Sequence, residues 1–335
     1  LLLKNYRPQS IYHVPATEIH KAKFPVIDMH SHDYAQNQSD IDQWVKNMDE
    51  LGIEKVVILT MQTGSGFDSV VEKYSKYPNR FELWCGFDFT GYKTNPNWIR
   101  HAVRELERCH KMGARGIGEL GDKGKGLFYS KPLPAFGLHL DDPELRPLLK
   151  RCAELHMPIN IHVADPYWMY EKMDSTNDGL MNAYDWKIDL SQKDILNHAQ
   201  LIKTLENAVR DNPKNTFIAC HFANCSYDLN ILGRLLDTYP NLWADISARY
   251  AETAPIPRFM YNFYNTYQDR LIYGTDMGMD EDMYKVTFRI LETTDEHFYE
   301  TELFNYHWAC NGFGLPDDVL RKLYKKNALI ILNRP

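Results

Sequence analysis

Short apolar, β-branched runs recur along the chain and alternate with longer stretches in which apolar residues return every three or four positions. The short runs predict strands over 24–30, 53–60, 82–88, 114–120, 158–163, 216–222, 241–247 and 270–276, with starts about 35 residues apart on average, the length of a strand-plus-helix unit. The longer stretches predict helices over 39–51, 97–112, 142–156, 196–211, 227–239, 258–267 and 281–293, with a final helix over 316–333. Their ends carry local signals. Ser39 is placed to cap the first helix and Gly52 follows it; Gly113 suits a left-handed position after the second; Asp142-Pro143 opens the third and Pro158 closes it.

Strands that alternate with helices predict a parallel sheet, because parallel neighbours need crossover connections. Eight such units favour closure into a (β/α)8 TIM barrel, read as one domain over 1–335 with an N-terminal extension over 1–23. Two long segments, 121–141 and 165–194, each follow a strand directly and are expected to lie over the C-terminal mouth.

Composition narrows the class. The 335 residues are 44% hydrophobic and 25% charged, with 38 basic against 45 acidic side chains and a net charge of −7. With no basic cluster, a binder of nucleic-acid backbone is disfavoured, and no apolar run is long enough to span a membrane. A small-molecule substrate is the expected partner. The six cysteines stand apart with no CxxC pair, which fits reduced thiols and a cytoplasmic protein; a chain beginning at Leu1 leaves a removed export signal open.

Polar residues at the strand ends carry the chemistry. His30 and His32 end the first strand on one face, Glu119 ends the fourth, His162 the fifth, His221 the sixth and Asp276 the eighth. Taken singly each has an ordinary reading: a core imidazole, a loop hydrogen bond, a helix cap. Gathered at one rim, four imidazoles and two carboxylates suit one or two divalent transition-metal ions, Zn2+ first, with Mn2+, Fe2+ or Co2+ as alternatives. Such an ion turns bound water into hydroxide near neutral pH, and Asp276 is placed to carry its proton.

The run Val26-Ile27-Asp28-Met29-His30-Ser31-His32, together with His162, His221 and Tyr273-Gly274-Thr275-Asp276, resembles the amidohydrolase superfamily. Gly314-Leu315-Pro316 and Leu323-Tyr324-Lys325-Lys326-Asn327-Ala328-Leu329 are similar to the branch that includes aminocarboxymuconate-semialdehyde decarboxylase. The resemblance runs over about residues 24–333 and implies His30, His32, His162 and Asp276 as metal ligands, Asp276 also as proton shuttle, and a homodimer. It implies that His221 binds a second metal or polarises a substrate carbonyl. Glu119 departs from the decarboxylase-like pattern, where a single metal has no bridging carboxylate, and it makes a further or bridging ligand plausible.

Around this set, Arg249 is a candidate for a substrate carboxylate, and Tyr167, Trp168 and Tyr170 for a pocket wall. Asp245 orients a neighbour or caps a turn. Gly64-Ser65-Gly66 reads as a plain turn, Lys123 and Lys125 as solvent-facing, and Cys220 as turned away from His221. The expected function is a metal-dependent hydrolase acting on an amide, lactone or other ester-like bond; the alternative is a non-oxidative decarboxylase on the same scaffold. A glycoside hydrolase using Glu119 and Asp276 would leave the four histidines unexplained, and a catalytically dead binding protein would not need intact ligands.

Overall fold

The structure, a computed structural model, describes residues 2–301, 303 and 307–332. Leu1 and Asn333, the ends of the expected extension and final helix, lie outside them.

Eight parallel strands form the expected barrel: β1 (Val26–Ser31), β2 (Ile53–Leu59), β3 (Phe81–Trp84), β4 (Ile117–Asp122), and, beyond a small hairpin of β5 (Gly126–Leu127) and β6 (Ala135–Phe136), β7 (Ile159–Val163), β8 (Phe217–Ala219), β9 (Leu242–Asp245) and β10 (Leu271–Ile272). Ladders run β1-β2-β3 and β10-β9-β8-β7-β4. Backbone hydrogen bonds join the two sheets at both seams. Met29 N donates to Tyr273 O (3.0 Å) and Asp276 N to His30 O (2.8 Å) at one; Cys85 N donates to Gly116 O (3.0 Å) and Gly118 N to Cys85 O (2.9 Å) at the other. Every residue of β1, β4, β7, β8 and β9 is buried, which is why these runs read as almost wholly apolar.

The helices follow the expected order: α1 (Gln38–Leu51), α2 (Gly64–Tyr74), α3 (Trp98–Lys111), α4 (Arg146–Glu154), the short α5 (Leu180–Ala183), α6 (His198–Asp211), α7 (Leu229–Thr238), the single turn α8 (Tyr250–Thr253), α9 (Pro257–Thr266) and α10 (Glu281–Glu292). They pack their apolar faces on the outside of the sheet. A smaller apolar cluster takes Ile27, Met29, Val57, Leu59, Trp84, Ile218, Trp243 and Ile272 from six strands, and Ala328 and Ile331 from the C-terminal segment. That segment, α11 (Asp317–Arg321), one wide turn (Lys322–Lys326) and α12 (Asn327–Leu332), therefore stops the end of the barrel opposite the polar mouth. Among the described residues no helix is long and apolar enough to cross a membrane.

Three local expectations are corrected. The α1 cap is Asn37, whose side chain accepts from Asp40 N at 3.1 Å, not Ser39. Gly64-Ser65-Gly66 is the first turn of α2, a helix hidden by its two glycines. Strands six and eight stop short, at Ala219 and Ile272, so that His221 and Asp276 stand on the turns beyond them.

Candidate active site

Those turns are bent in a particular way. His221, Ala164, Ala248, Met61 and Asp276 all have left-handed backbones, φ 57°, 62°, 55°, 59° and 72°, each just past a barrel strand. Non-glycine residues rarely hold this conformation, and its recurrence at a catalytic rim is typical of sites that aim side chains inward. On β1 the register against β2 shifts between Asp28 and Ser31; the His30 and His32 imidazoles meet at the centre, while Ser31 Oγ accepts from Gly278 N (3.3 Å).

The six strand-end residues come together. Glu119 lies at the middle, its carboxylate 2.9 Å from His162 Nδ1, 3.4 Å from His221 Nε2, 3.5 Å from His32 Nε2 and 4.0 Å from His30 Nε2. Asp276 stands 3.1 Å from His32 Nε2 and 3.6 Å from His30 Nε2. Donor atoms of His30, His32 and Asp276 lie within 4.8 Å of one another, as do those of Glu119, His162 and His221.

Three of the imidazoles are tied from behind. His30 Nδ1 donates to Asp245 (2.9 Å), His32 Nδ1 to the Leu59 carbonyl (2.9 Å) and His221 Nδ1 to the Ser247 carbonyl (2.9 Å). Each bond fixes a proton on Nδ1 and turns Nε2 to the centre. Asp245, which also accepts from His221 N (2.9 Å) and Asn160 Nδ2 (3.3 Å), thus orients two histidines.

Electrostatics reinforce the arrangement. Burial opposes charge on His30, yet Asp245, with Asp276 and Glu119 behind it, lifts its pKa to about 10. Burial would raise the Glu119 carboxyl, but His162, His221 and His30 hold it well below the usual carboxylate range. Burial keeps His221 below its ordinary value and so neutral. The centre is a well that attracts positive charge. His30 Nε2 is buried without a hydrogen-bond partner. An inward ring nitrogen left unpaired beside two carboxylates, which hold a proton on it in the metal-free protein, fits a divalent cation that would displace that proton.

A cavity of about 860 Å³ opens over this centre. Phe128, Tyr129 and Trp186 give it aromatic walls, and Arg249, Lys123 and Lys131 face it with positive charge. Tyr167 and Trp168 do not line it. Tyr167 stacks on Tyr227 (centroids 4.1 Å) and Trp168 packs on Trp308 (5.3 Å); the 165–194 segment offers Met169, Asn182 and Trp186 instead. Arg249 is at the wall, but Asn224 Oδ1 takes its Nε and Nη2 (3.0 and 2.7 Å) and Glu252 lies 3.3 Å from its Nη1.

Two further expectations fail. Lys123 does not face solvent: its Nζ is 2.8 Å from Asp165, which stands 3.5 Å from His162 Nε2. Cys220 turns inward, donating to Asn160 Oδ1 (2.7 Å) below the centre, and burial pushes its thiol well up, so it stays protonated. Asp165, Asn224, Ser247 and Glu252 were missed. The available signal was position, since each lies two or three residues past a residue already singled out.

An eight-stranded barrel with a histidine–carboxylate centre at its C-terminal mouth defines a class of metal-binding barrel enzymes. A model of the amidohydrolase family matches residues 27–334, and the chain belongs to that family. Among curated proteins none matches. Solved structures with the same fold include a dihydroxybenzoic acid decarboxylase from Polaromonas sp. JS666 with bound manganese and the inhibitor 2-nitroresorcinol (15% identity, TM-score 0.58, covering 93% of this chain and 98% of that one). Others are 2,6-dihydroxybenzoate decarboxylase from Rhizobium (14%, 0.55, 92% and 99%) and 5-carboxyvanillate decarboxylase from Novosphingobium aromaticivorans with manganese (12%, 0.56, 96% and 100%).

Proposed function

We propose that this enzyme is a metal-dependent decarboxylase of an aromatic carboxylic acid, rather than the hydrolase expected first. The observation that carries the reading is the placement of Asp276: its carboxylate touches His32 at 3.1 Å yet keeps an open edge on a cavity with aromatic walls and cationic side chains. That lining suits a flat, anionic ring. The named activities of the structures with this fold support the same reaction class.

His30, His32, His162 and Asp276 would hold the ion, with Glu119 as a further ligand. Manganese is the first choice, because it is the metal named in two of those structures, and zinc is the comparison. When bound, the ion supplies fixed positive charge against the substrate's oxygens. The chain does the rest. Aromatic side chains hold the ring and exclude water. Burial opposes charge on Asp276, yet His32, His30 and His221 hold its carboxyl below the ordinary range, so it rests ionised. It takes up a proton from solvent or from an acidic group of the substrate and gives it to the ring carbon bearing the carboxylate; that carbon–carbon bond then breaks, CO2 leaves, and its electron pair restores the ring.

One observation favours the hydrolytic reading: Glu119 stands among four imidazoles, where a second ion would be bridged. A single experiment separates the two. Protein stripped of metal and reloaded with Mn2+ or Zn2+ is given 2,6-dihydroxybenzoate and 5-carboxyvanillate in D2O, beside a panel of lactones and amides. Decarboxylation releases CO2 and leaves one deuterium on the carbon that lost it. Hydrolysis of the panel with no CO2 from either acid would sink the proposal.

A further inference from the structure

Lys131 faces the cavity from an exposed position; of the two cations held within its wall, Lys123 has more donors to spare than Arg249. An ammonium offers three N–H donors. Among the described residues, Asp165 at 2.8 Å is the one acceptor close to Lys123 Nζ. Arg249, by contrast, spends Nε and Nη2 on Asn224, and Nη1 on the Ala248 carbonyl (3.2 Å) beside Glu252. The Lys123 side chain is only 23% exposed, and its Nζ lies 5.9 Å from the Tyr129 ring centre and 5.8 Å from that of Trp186. Rings at those distances favour the cation and fix its height on the wall. Asp165 holds it from behind, anchored near His162 on the turn after β7. Lys123 therefore stands, braced, between two aromatic walls with donors left for a ligand.

We propose that Lys123 reads a second carboxylate on the substrate, distal to the one lost beside Asp276, so that the preferred substrate class is an aromatic diacid. This rests on the decarboxylase reading for which carboxylate is lost, but not for the binding preference itself. In this reading the ring lies against the aromatic walls with one carboxylate at the metal centre and the other at Lys123, which shares the Asp165 carboxylate with His162 (2.8 and 3.5 Å). A monoacid leaves the ammonium with Asp165 alone.

The test is equilibrium binding of unreactive probes to the metal-loaded enzyme, read by calorimetry and by quenching of Trp186 fluorescence. Isophthalate and terephthalate supply two carboxylates, benzoate one. A charge-assisted hydrogen bond formed away from bulk water corresponds to at least about ten-fold in affinity. Wild type is expected to bind the better diacid about ten-fold more tightly than benzoate. Lys123→Met should erase that margin, weakening the diacid about ten-fold more than benzoate, and Lys123→Arg should keep most of it. Because Lys123→Met strands the Asp165 charge, the Lys123→Met/Asp165→Asn double variant is measured too, and it should also lack the margin.

The inference is overturned if wild type shows no diacid preference, or if Lys123→Met weakens benzoate and diacid equally. A diacid preference carried by Lys123 in an enzyme that releases no CO2 would uphold this inference and fail the decarboxylase reading; CO2 release without the preference would do the reverse.

Discussion

Asp245 Oδ2 stands 2.9 Å from His30 Nδ1, and beyond the ring His30 Nε2 is buried with nothing to bond. The carboxylate holds a proton on Nδ1 and turns Nε2 toward Asp276 and Glu119. Partners of this kind behind a metal-binding histidine are worth ~10–100-fold in metal affinity. Asp245→Asn is expected to lose metal in that range, measured by competition with a graded chelator series. Stripping metal from the wild type should abolish activity, and re-addition should restore it. An unchanged metal affinity in Asp245→Asn would remove its orienting role.

Asp276 lies on a left-handed turn, φ 72°, with its backbone N–H bonded to His30 O at 2.8 Å. The main chain fixes the carboxylate, so a substitution of the side chain alone should leave the fold in place. Asp276→Asn keeps the size and removes the proton carrier. Turnover is expected to fall ~10²–10⁴-fold, the usual contribution of a positioned acid or base. Product made by the residual activity should show slower deuterium uptake at carbon.

The barrel was legible because buried parallel strands leave an unmistakable record of apolar runs at a steady interval, and the rim because His30, His32, Glu119, His162, His221 and Asp276 end or closely follow those runs. What failed has a physical pattern. Gly64 and Gly66 hid α2, because glycine is a poor helix former that α2 tolerates at its first turn. Lys123 looked solvated since its partner, Asp165, is 42 positions on and reaches it only after β4 and β7 pair in the sheet. Tyr167 and Trp168 were right in segment and wrong in direction: the 165–194 segment coils into short turns, and a change of one or two positions decides whether a ring meets the cavity or a neighbouring loop. Sequence spacing locates a strand end well and a side chain in an irregular segment poorly.

Gly274 has no room for a side chain. A Cβ there would stand 2.7 Å from His30 Cβ and 3.3 Å from Ser247 Cβ. The obstacle on one side is the root of a side chain anchored by Asp245, with no far end to swing aside. Gly274→Ala is expected to cost about 1–3 kcal/mol, as overpacking of a close-packed interior does. It should also weaken metal binding by displacing His30. Denaturant unfolding and metal titration together check it; a loss of stability with normal metal affinity would mean that the clash relaxes away from His30.

Glu252 gives the pH prediction. Its side chain is 5% exposed against Arg249, and burial raises its carboxyl to about 7, the Arg249 charge opposing the rise only in part. In the unfolded chain the group keeps an ordinary value of 4.5. A raised folded value means that the native state holds the proton more tightly than the unfolded one. The stability gained from this is complete below pH 4.5 and is lost as pH rises through about 7, where the buried carboxylate becomes charged. Glu252→Gln keeps the shape and removes the titration. Its stability relative to wild type should therefore climb between pH 5 and pH 8 by up to about 3 kcal/mol, 1.36 kcal/mol for each unit of pKa. Melting of both proteins across that range reads the difference directly; a variant that tracks wild type at every pH would show that the group is charged throughout, with Arg249 fully compensating its burial.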